Sequence, residues 1–418
     1  MLNDRHVRDH PDAVRAALRR RHAGPSAART LNEWLALDAQ RRAAAARRDE
    51  LARAASATRD GGTDTIAART ARRECDAATA ALEILEARAH RLLMRLPNLP
   101  DARVPNGAGP EDSVVLRTWG ELPAFSSAPK GHDGLAAALG ILDLPRATKL
   151  SGSRFPLLLG MGARLQRALA AFMLDLHAAR GYTEVAPPHL LRTATLEGTG
   201  HLPRFADDLY EVRRDDLWLS PTAEAQLVAL HAGETLPEAA LPLAYTAWTP
   251  AFRREAGSAG TATRGLLRQH QFDKVELVRI ATPESADVAF DALLADAEAV
   301  LQLLCLPYRT VALCAGELPF ASQRTVDLEV WMPSQTRYVE VSSVSDCGPF
   351  QARRLGLRYR PAAGSRARHP HTLNGSALAI GRTLAALLEH GQRSDGTVLL
   401  PGALASYLPA LTLAPEMR

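Results

Sequence analysis

Phe252-Arg253-Arg254-Glu255-Ala256-Gly257, then Thr263-Arg264-Gly265, then His270-Gln271-Phe272-Asp273-Lys274-Val275-Glu276, is the stretch on which the reading of this chain turns. It predicts two strands joined by a Gly-rich loop. Leu243, Tyr245, Trp248 and Phe252 supply β-forming bulk before the loop, and Phe272, Val275, Leu277, Val278 and Ile280 after it. Gly257, Gly260 and Gly265 mark a sharp bend or a close approach to a ligand. Arg253, Glu255, Arg268 and Glu276 sit at the root of this hairpin, where charge is costly unless paired. The residues alone leave two readings open. Either a ligand bearing phosphate and amine groups pairs both signs, or the hairpin is solvated and carries ordinary ion pairs.

The chain around this stretch has 418 residues, 46% of them hydrophobic. That length allows about two or three domains and a sizeable core. No apolar run approaches the ~20 residues of a membrane span. Met1-Leu2-Asn3-Asp4-Arg5 lacks the charged-then-apolar pattern of a secretory leader, so a cytoplasmic location is expected. Cys75, Cys305, Cys314 and Cys347 form no CxxC pair, which speaks for a reducing compartment and against a disulfide framework or zinc site. A net charge of +4 and a pI near 9.0 permit nucleic-acid binding without demonstrating it. Lys130, Lys149 and Lys274 are the only lysines among 50 basic residues, an imbalance to which no function is assigned.

Upstream, residues from about 30 to 58 and from about 64 to 96 are expected to be long helices. In the second, Ala68, Ala71, Cys75, Ala78, Leu82, Leu85, Ala89, Leu92 and Leu96 recur at alternating spacings of three and four, a heptad seam. In the first, Trp34, Leu37, Ala44, Leu51 and Ala55 fit such a seam, but Arg41 and Arg48 fall on it. Asp60-Gly61-Gly62 lets the chain reverse, which predicts an antiparallel coiled-coil arm with helices roughly 40 Å long. Such a seam serves dimerisation or bundling at least as readily as any other purpose.

Pro97-Asn98-Leu99-Pro100 ends the arm, and a Pro-, Gly- and Asp-rich linker is expected to about residue 113. The expected domains are therefore 1–110 and 111–418. Past Ser151-Gly152-Ser153-Arg154-Phe155, a helix over about 161–180 carries Leu165, Leu169, Phe172, Met173 and Leu176 on one face. Val185 then leads into Pro187-Pro188, where a strand must end early or lie at an edge.

Four ordered stretches carry a family resemblance that covers essentially the whole chain. Residues 252–276 resemble motif 2 of the class II aminoacyl-tRNA synthetases, and Thr263 to Glu276 is particularly similar to the seryl-tRNA synthetases. Thr222-Ala223-Glu224, Asp327-Leu328-Glu329-Val330-Trp331, and Leu373-Asn374-Gly375-Ser376 leading to Gly381-Arg382-Thr383 agree in order. The resemblance implies an α+β fold, an antiparallel β-sheet catalytic domain flanked by helices, with an N-terminal antiparallel helical arm. It implies ATP-dependent activation of L-serine to seryl-adenylate and transfer to the 3′ end of serine tRNA, with ATP as substrate and Mg2+ as cofactor. It also makes the 161–188 segment resemble the family's motif 1, the dimer interface, so a homodimer is expected. The arm would hold the tRNA, and Arg41, Arg42, Arg47, Arg48, Arg53, Arg69, Arg72 and Arg73 are its candidate phosphate contacts or simply a solvated face.

Carried over residue by residue, the resemblance makes Arg253, Glu276 and Arg382 the catalytic set. Arg253 would contact the α-phosphate and orient the serine carboxylate, a task suited to a planar fork. Glu255 would accept from the adenine amino group, Phe272 would stack on the base, and Arg268 and Arg382 would hold the outer phosphates. Glu340 and Ser343 match the family's magnesium pair, hard oxygens of the kind magnesium prefers. Thr222, Glu224, Arg253, Glu276, Asn374 and Ser376 would read serine. On their own Thr222 and Ser376 fit a cap or turn as well as a ligand contact.

The sequence departs from the family in places. Thr261 and Ala262 stand where an Arg-Asp pair is usual, so the loop's phosphate contact to the tRNA acceptor end does not carry over. Val326 replaces a Tyr before Asp327. In Val344-Ser345-Asp346-Cys347-Gly348-Pro349, Asp346 is expected to add a negative charge near ATP. Such changes leave two further readings open: a paralogue that passes serine to a non-tRNA acceptor such as a carrier protein, and a catalytically silent tRNA-binding protein.

Overall fold

The computed structural model describes residues 1–57, 66–256, 265–362 and 364–415. The chain divides into two compact units, Met1–Leu99 and Pro100–Arg418. The expected turn at Asp60-Gly61-Gly62 and the departures at Thr261 and Ala262 lie outside the described residues.

In the first unit, helix α1 (Gly24–Ala57) lies against α2 (Ile66–Met94). The pair is antiparallel, since Glu33, Leu37 and Gln40 share a groove with Arg88, Leu92 and Arg95. All nine expected seam residues from Ala68 to Leu96 are buried or half-buried, while exposed residues fill the positions between most of them. At the base, Trp34 and Leu31 are fully buried. Farther along α1 the seam residues Ala44, Leu51 and Ala55 are only half-buried, because alanine-sized side chains leave little to cover.

Arg41 is tolerated on the seam for an electrostatic reason. Asp38, one helical turn away, is buried and accepts from Arg8 (Nε, 2.6 Å) and Arg41 (2.7 Å), with Arg42 at 3.2 Å. Burial resists ionisation of the Asp38 carboxyl, but the hydrogen bonds from Arg8 and Arg41 win and hold it down at about 2. Arg47 pairs with Glu50 and Arg48 with Asp49, whereas Arg72 and Arg73 are exposed and make no ion pair among the described residues.

The second unit is built on an eight-stranded sheet: β1 (Val114–Trp119), β2 (Thr183–Glu184), β3 (Leu243–Phe252), β4 (Gln271–Ala281), β5 (Tyr308–Ala312), β6 (Arg324–Met332), β7 (Arg337–Asp346) and β8 (His371–Ala379). Their order is β1-β5-β6-β7-β8-β4-β3-β2. Every pair is antiparallel except β2–β3. The two-residue β2 sits at an edge and stops short of Pro187 and Pro188, neither of which could extend the ladder.

Alternation along β4 divides the unit into two faces. Val275, Leu277 and Ala281 point into the main core, beneath α3 (Met161–Ala178), α4 (Ala286–Leu303) and α5 (Ile380–Gly391). Arg279 on that face is neutralised by Asp296 of α4 (3.0 Å) and bonded to the Tyr182 hydroxyl (2.8 Å). Phe272, Lys274 and Glu276 point to the other face, where a cavity opens.

Pro100 opens the second compact unit. Residues 100–113 form no free linker: the Ala315 and Gly316 N–H groups bond the carbonyls of Pro105 and Gly107, and Val104 is buried with Ala315 and Leu318. Proline and glycine composition reports a lack of helix and strand, not a lack of packing.

The Asp38 cluster has a testable cost. Its depressed carboxyl contributes stability that is fully present above the ordinary carboxyl value of 3.8 and is lost as pH falls through about 2. Asp38→Asn should lower protection of the α1 amides at neutral pH by about 2 kcal/mol. Hydrogen exchange on peptides from 24–57 reads this directly, and the gap between variant and parent should narrow on acidification.

Candidate active site

A cavity of about 720 Å³ lies on the open face of the sheet. All twelve residues carried over from the family line it: Thr222, Glu224, Arg253, Glu255, Arg268, Phe272, Glu276, Glu340, Ser343, Asn374, Ser376 and Arg382. They come from positions up to 160 residues apart, and the strand order explains how. Strands β8, β4 and β3 are neighbours, so Ser376 faces Glu276 directly across one ladder and Ala247 flanks Glu276 across the next.

One floor of the cavity is a buried cluster of three side chains. The Thr222 hydroxyl donates to Glu276 (2.9 Å) and accepts from the Lys274 ammonium (2.7 Å), while Lys274 also pairs with Glu276. All three are at least nine-tenths buried. Burial pushes the Glu276 carboxyl up, and the Lys274 charge pulls against it. Glu224 is pushed up in the same way and accepts from Gln351 (2.7 Å). Lys274 is the residue that sequence reasoning passed over. Its signal was its survival as lysine in a chain that otherwise uses arginine.

Three arginines also line the cavity. Arg253 donates to the Pro221 carbonyl (3.2 Å) and stands 5.3 Å from the Phe272 ring centroid, with no ion pair among the described residues. Arg268 meets Glu255 at 3.3 Å, and Glu255 takes a left-handed φ of 52°. Arg382, third residue of α5, donates to the carbonyls of Leu267 (3.1 Å) and Glu340 (2.6 Å). At the hairpin root Glu255 and Arg268 form an ordinary ion pair, Glu276 pairs with Lys274, and Arg253 makes no ion pair among the described residues.

Glu340 and Ser343 are three residues apart, a spacing that should put them on opposite faces of a strand. A β-bulge resolves this. Leu328 pairs with Ser342 and Glu329 with Glu340, so Val341 is the extra residue and parity is reset between them. Ser343 lies opposite Asp327, whose Oδ1 is buried without a hydrogen-bond partner. Burial, then the nearby Glu340 charge, raises the Asp327 carboxyl well above its usual range.

Asp346 corrects an expectation. It does not line the cavity. It is buried on the far side of β7 and accepts from the Gly348 N–H (2.7 Å) and from Gln323 (2.9 Å). Strand parity turns it away while Ser343 and Ser345 face the cavity. Cys347 also reaches the wall, its thiol 3.8 Å from the Asn374 amide oxygen.

Comparison with known proteins follows the same outline. Residues 209–391 match the tRNA synthetase class II core domain (G, H, P, S and T). The serine–tRNA ligase of Sorangium cellulosum is 48% identical over 98% of this chain and 98% of its own. This chain belongs to the seryl-tRNA synthetase family. The enzyme of that name from Acidithiobacillus ferrooxidans is 48% identical over 99% of both chains. Among solved structures, seryl-tRNA synthetase from Pyrococcus horikoshii complexed with ATP superposes over the full length of both chains with a TM-score of 0.93 at 33% identity. The cytoplasmic serine–tRNA ligase of Naegleria fowleri in complex with AMP gives 0.89 at 25% identity, covering all of this chain and 99% of its own. For this seryl-tRNA synthetase, the class II fold inferred from four motifs and the observed sheet are the same architecture.

Because Asp346 is bonded away from the cavity, Asp346→Asn should leave the KM for ATP within about twofold of the parent. Its cost should appear in thermal unfolding instead, at about 1 kcal/mol for one weakened buried hydrogen bond. A selective change in the ATP term would contradict this placement.

Proposed function

We propose that this seryl-tRNA synthetase joins L-serine to ATP in the cavity described, forming seryl-adenylate, and passes the seryl group to serine tRNA. The observation that supports the site assignment is the charge pattern: a buried Lys274–Glu276–Thr222 cluster and, lining the same cavity, Arg253, which makes no ion pair among the described residues. Serine is a zwitterion. Its ammonium finds Glu276 and Glu224, and its carboxylate finds Arg253, so the amino acid adds no uncompensated charge to the buried site.

Activation needs the serine carboxylate oxygen in line with the α-phosphorus. The new O–P bond forms as the bond to the β-phosphate bridge breaks and pyrophosphate leaves. Arg253 spans both anions, with a fork that suits two oxygens at once. Phe272 offers a stacking face beside it, Glu255 an acceptor for the adenine amino group, and Arg268 and Arg382 the anchors for the outer phosphates. In the second step the terminal adenosine hydroxyl of the tRNA attacks the adenylate carbonyl and AMP departs. Neither step needs a covalent enzyme intermediate, which suits a wall of fixed charges without a nucleophile–base pair.

Glu340 and Ser343 are the residues that would hold magnesium, and the donor set fits: hard oxygens, with the unpartnered Asp327 Oδ1 in the adjoining strand. The ion would supply neutralisation of charge on the phosphate oxygens. Serine's hydroxyl meets Thr222, Asn374 or Ser376, and an alanine in its place would leave buried polar groups unpaired. Arg72 and Arg73, exposed on α2, support a tRNA-phosphate role for the arm. A homodimer fits the exposed apolar edge strand β1, where Val114, Val115 and Leu116 are 46–52% exposed. The described residues include no helix long and apolar enough to cross a membrane, and we place the enzyme in the cytoplasm.

Amino-acid-dependent pyrophosphate exchange across serine, threonine, alanine and glycine should respond to serine alone, and Glu276→Ala should abolish it. Exchange with no serine preference would refute the reading. Lys274→Met probes the charge balance. Removing the ammonium raises the Glu276 carboxyl further, so the acid limb of the kcat/KM profile for serine should move to higher pH. An unmoved limb would show that Lys274 does not hold Glu276 ionised.

A further inference from the structure

The N–H of Leu266 is buried beside the cavity and, among the described residues, donates to the Nε2 of His132 at 3.1 Å. His132 lies 134 residues earlier, at the start of a short helix, and is 3% exposed. Its Nδ1 is 2.8 Å from Glu389 Oε1, and its own N–H donates to the same oxygen at 3.1 Å. Glu389 is fully buried in α5 and its second oxygen accepts from the Ser334 N–H at 3.0 Å. This pattern fixes the tautomer. Nε2 receives a hydrogen bond and so carries none, and the ring proton is on Nδ1, shared with the carboxylate.

The segment His132 holds is the one that carries the phosphate-facing groups. Leu267 offers its carbonyl to Arg382, and Arg268 follows it. A Cβ added at Gly381 would come within 3.2 Å of the Leu266 carbonyl, so this backbone lies tight against the start of α5. One added at Gly265 would come within 2.3 Å of His132 Nε2, so only glycine fits beside the ring. Residues 265–268 are thus pinned on one side by His132 and on the other by Gly381 and Arg382. Glu389 and Arg382 belong to the same helix, which closes the circuit.

We propose that His132 is a positioning residue for ATP: as a neutral acceptor fixed by Glu389, it sets the backbone at Leu266–Arg268 and through it the placement of Arg268 and Arg382. The proposal rests on the ATP reading of the cavity. It assigns His132 no contact with substrate and no part in the serine pocket, where Thr222, Lys274 and Glu276 are held by their own bonds.

Two substitutions separate the halves of the ring. His132→Gln puts an amide oxygen where Nε2 was, keeping an acceptor for Leu266. His132→Asn keeps a donor toward Glu389 but falls short of Leu266 and strands its buried N–H. Both remove the imidazole, so both should lower the melting temperature. Binding of a non-hydrolysable ATP analogue to the full chain is measured by calorimetry, with KM for ATP and for serine from pyrophosphate exchange. His132→Asn should weaken the analogue and raise the KM for ATP by about tenfold, the scale of one stranded buried donor. His132→Gln should restore most of that loss, and the KM for serine should move less than about twofold in either. Equal effects of the two variants, or parallel changes in the ATP and serine constants, would overturn the proposal as a purely structural role. If the unaltered chain binds no analogue, the ATP reading itself falls.

Discussion

A buried carboxylate must be paired or protonated, and Glu276 is the point at which this chain meets that demand. At 1% exposure it is held within the folded chain by Lys274 and Thr222. The two residues around which it alternates, Val275 and Leu277, are committed to the main core. Glu276 therefore cannot turn away without pulling the core apart. In the proposed function, sheet parity and charge compensation together set where the amino acid's ammonium would sit.

The same constraint orders the rest of the cavity. The acidic floor holds one lysine against two carboxylates, Glu276 and Glu224, and Arg253 supplies a second positive charge from the end of β3. In the proposed function, substrate ammonium and carboxylate would exchange partners with these groups. A Coulomb interaction is worth several-fold more here than at the surface, so misplacing one group would be felt strongly. That is why the surrounding scaffold is rigid: Gln351 braces Glu224 and is itself held by Thr372, and Arg382 is tied to two backbone carbonyls.

Local pattern made much of this legible in advance. The seam of α2 was readable because period and burial coincide, and the β3–β4 pair because bulky residues flank a glycine loop. Family resemblance then gathered the cavity residues, which no local spacing could have done. Part of what stayed hidden has one cause, register. The extra residue Val341 puts Glu340 and Ser343 on one face, and nothing in the run Val339-Glu340-Val341-Ser342-Ser343 announces a bulge. Asp346 was misjudged for the same reason, since its face depends on parity counted from the bulge. Residues 100–113 were hidden differently. Asp101, Pro105 and Gly107 bond to residues more than 200 positions away, which composition cannot record.

His132 shows the limit of site-centred reading most sharply. A lone histidine after Lys130-Gly131 carries no motif, and its exposure is unremarkable for a core residue. Its meaning lies in pairing a carboxylate of α5 with a backbone donor of the 265–268 segment, elements joined only by the tertiary fold. An apolar side chain there would fill the space and still fail, because the Leu266 N–H would be buried without an acceptor. An arginine or lysine would satisfy Glu389 yet offer that N–H nothing, since neither has a lone pair to give. Histidine in one tautomer donates on one edge and accepts on the other. The fold asks for both roles at one position, with a backbone amide on one side and a buried carboxylate on the other.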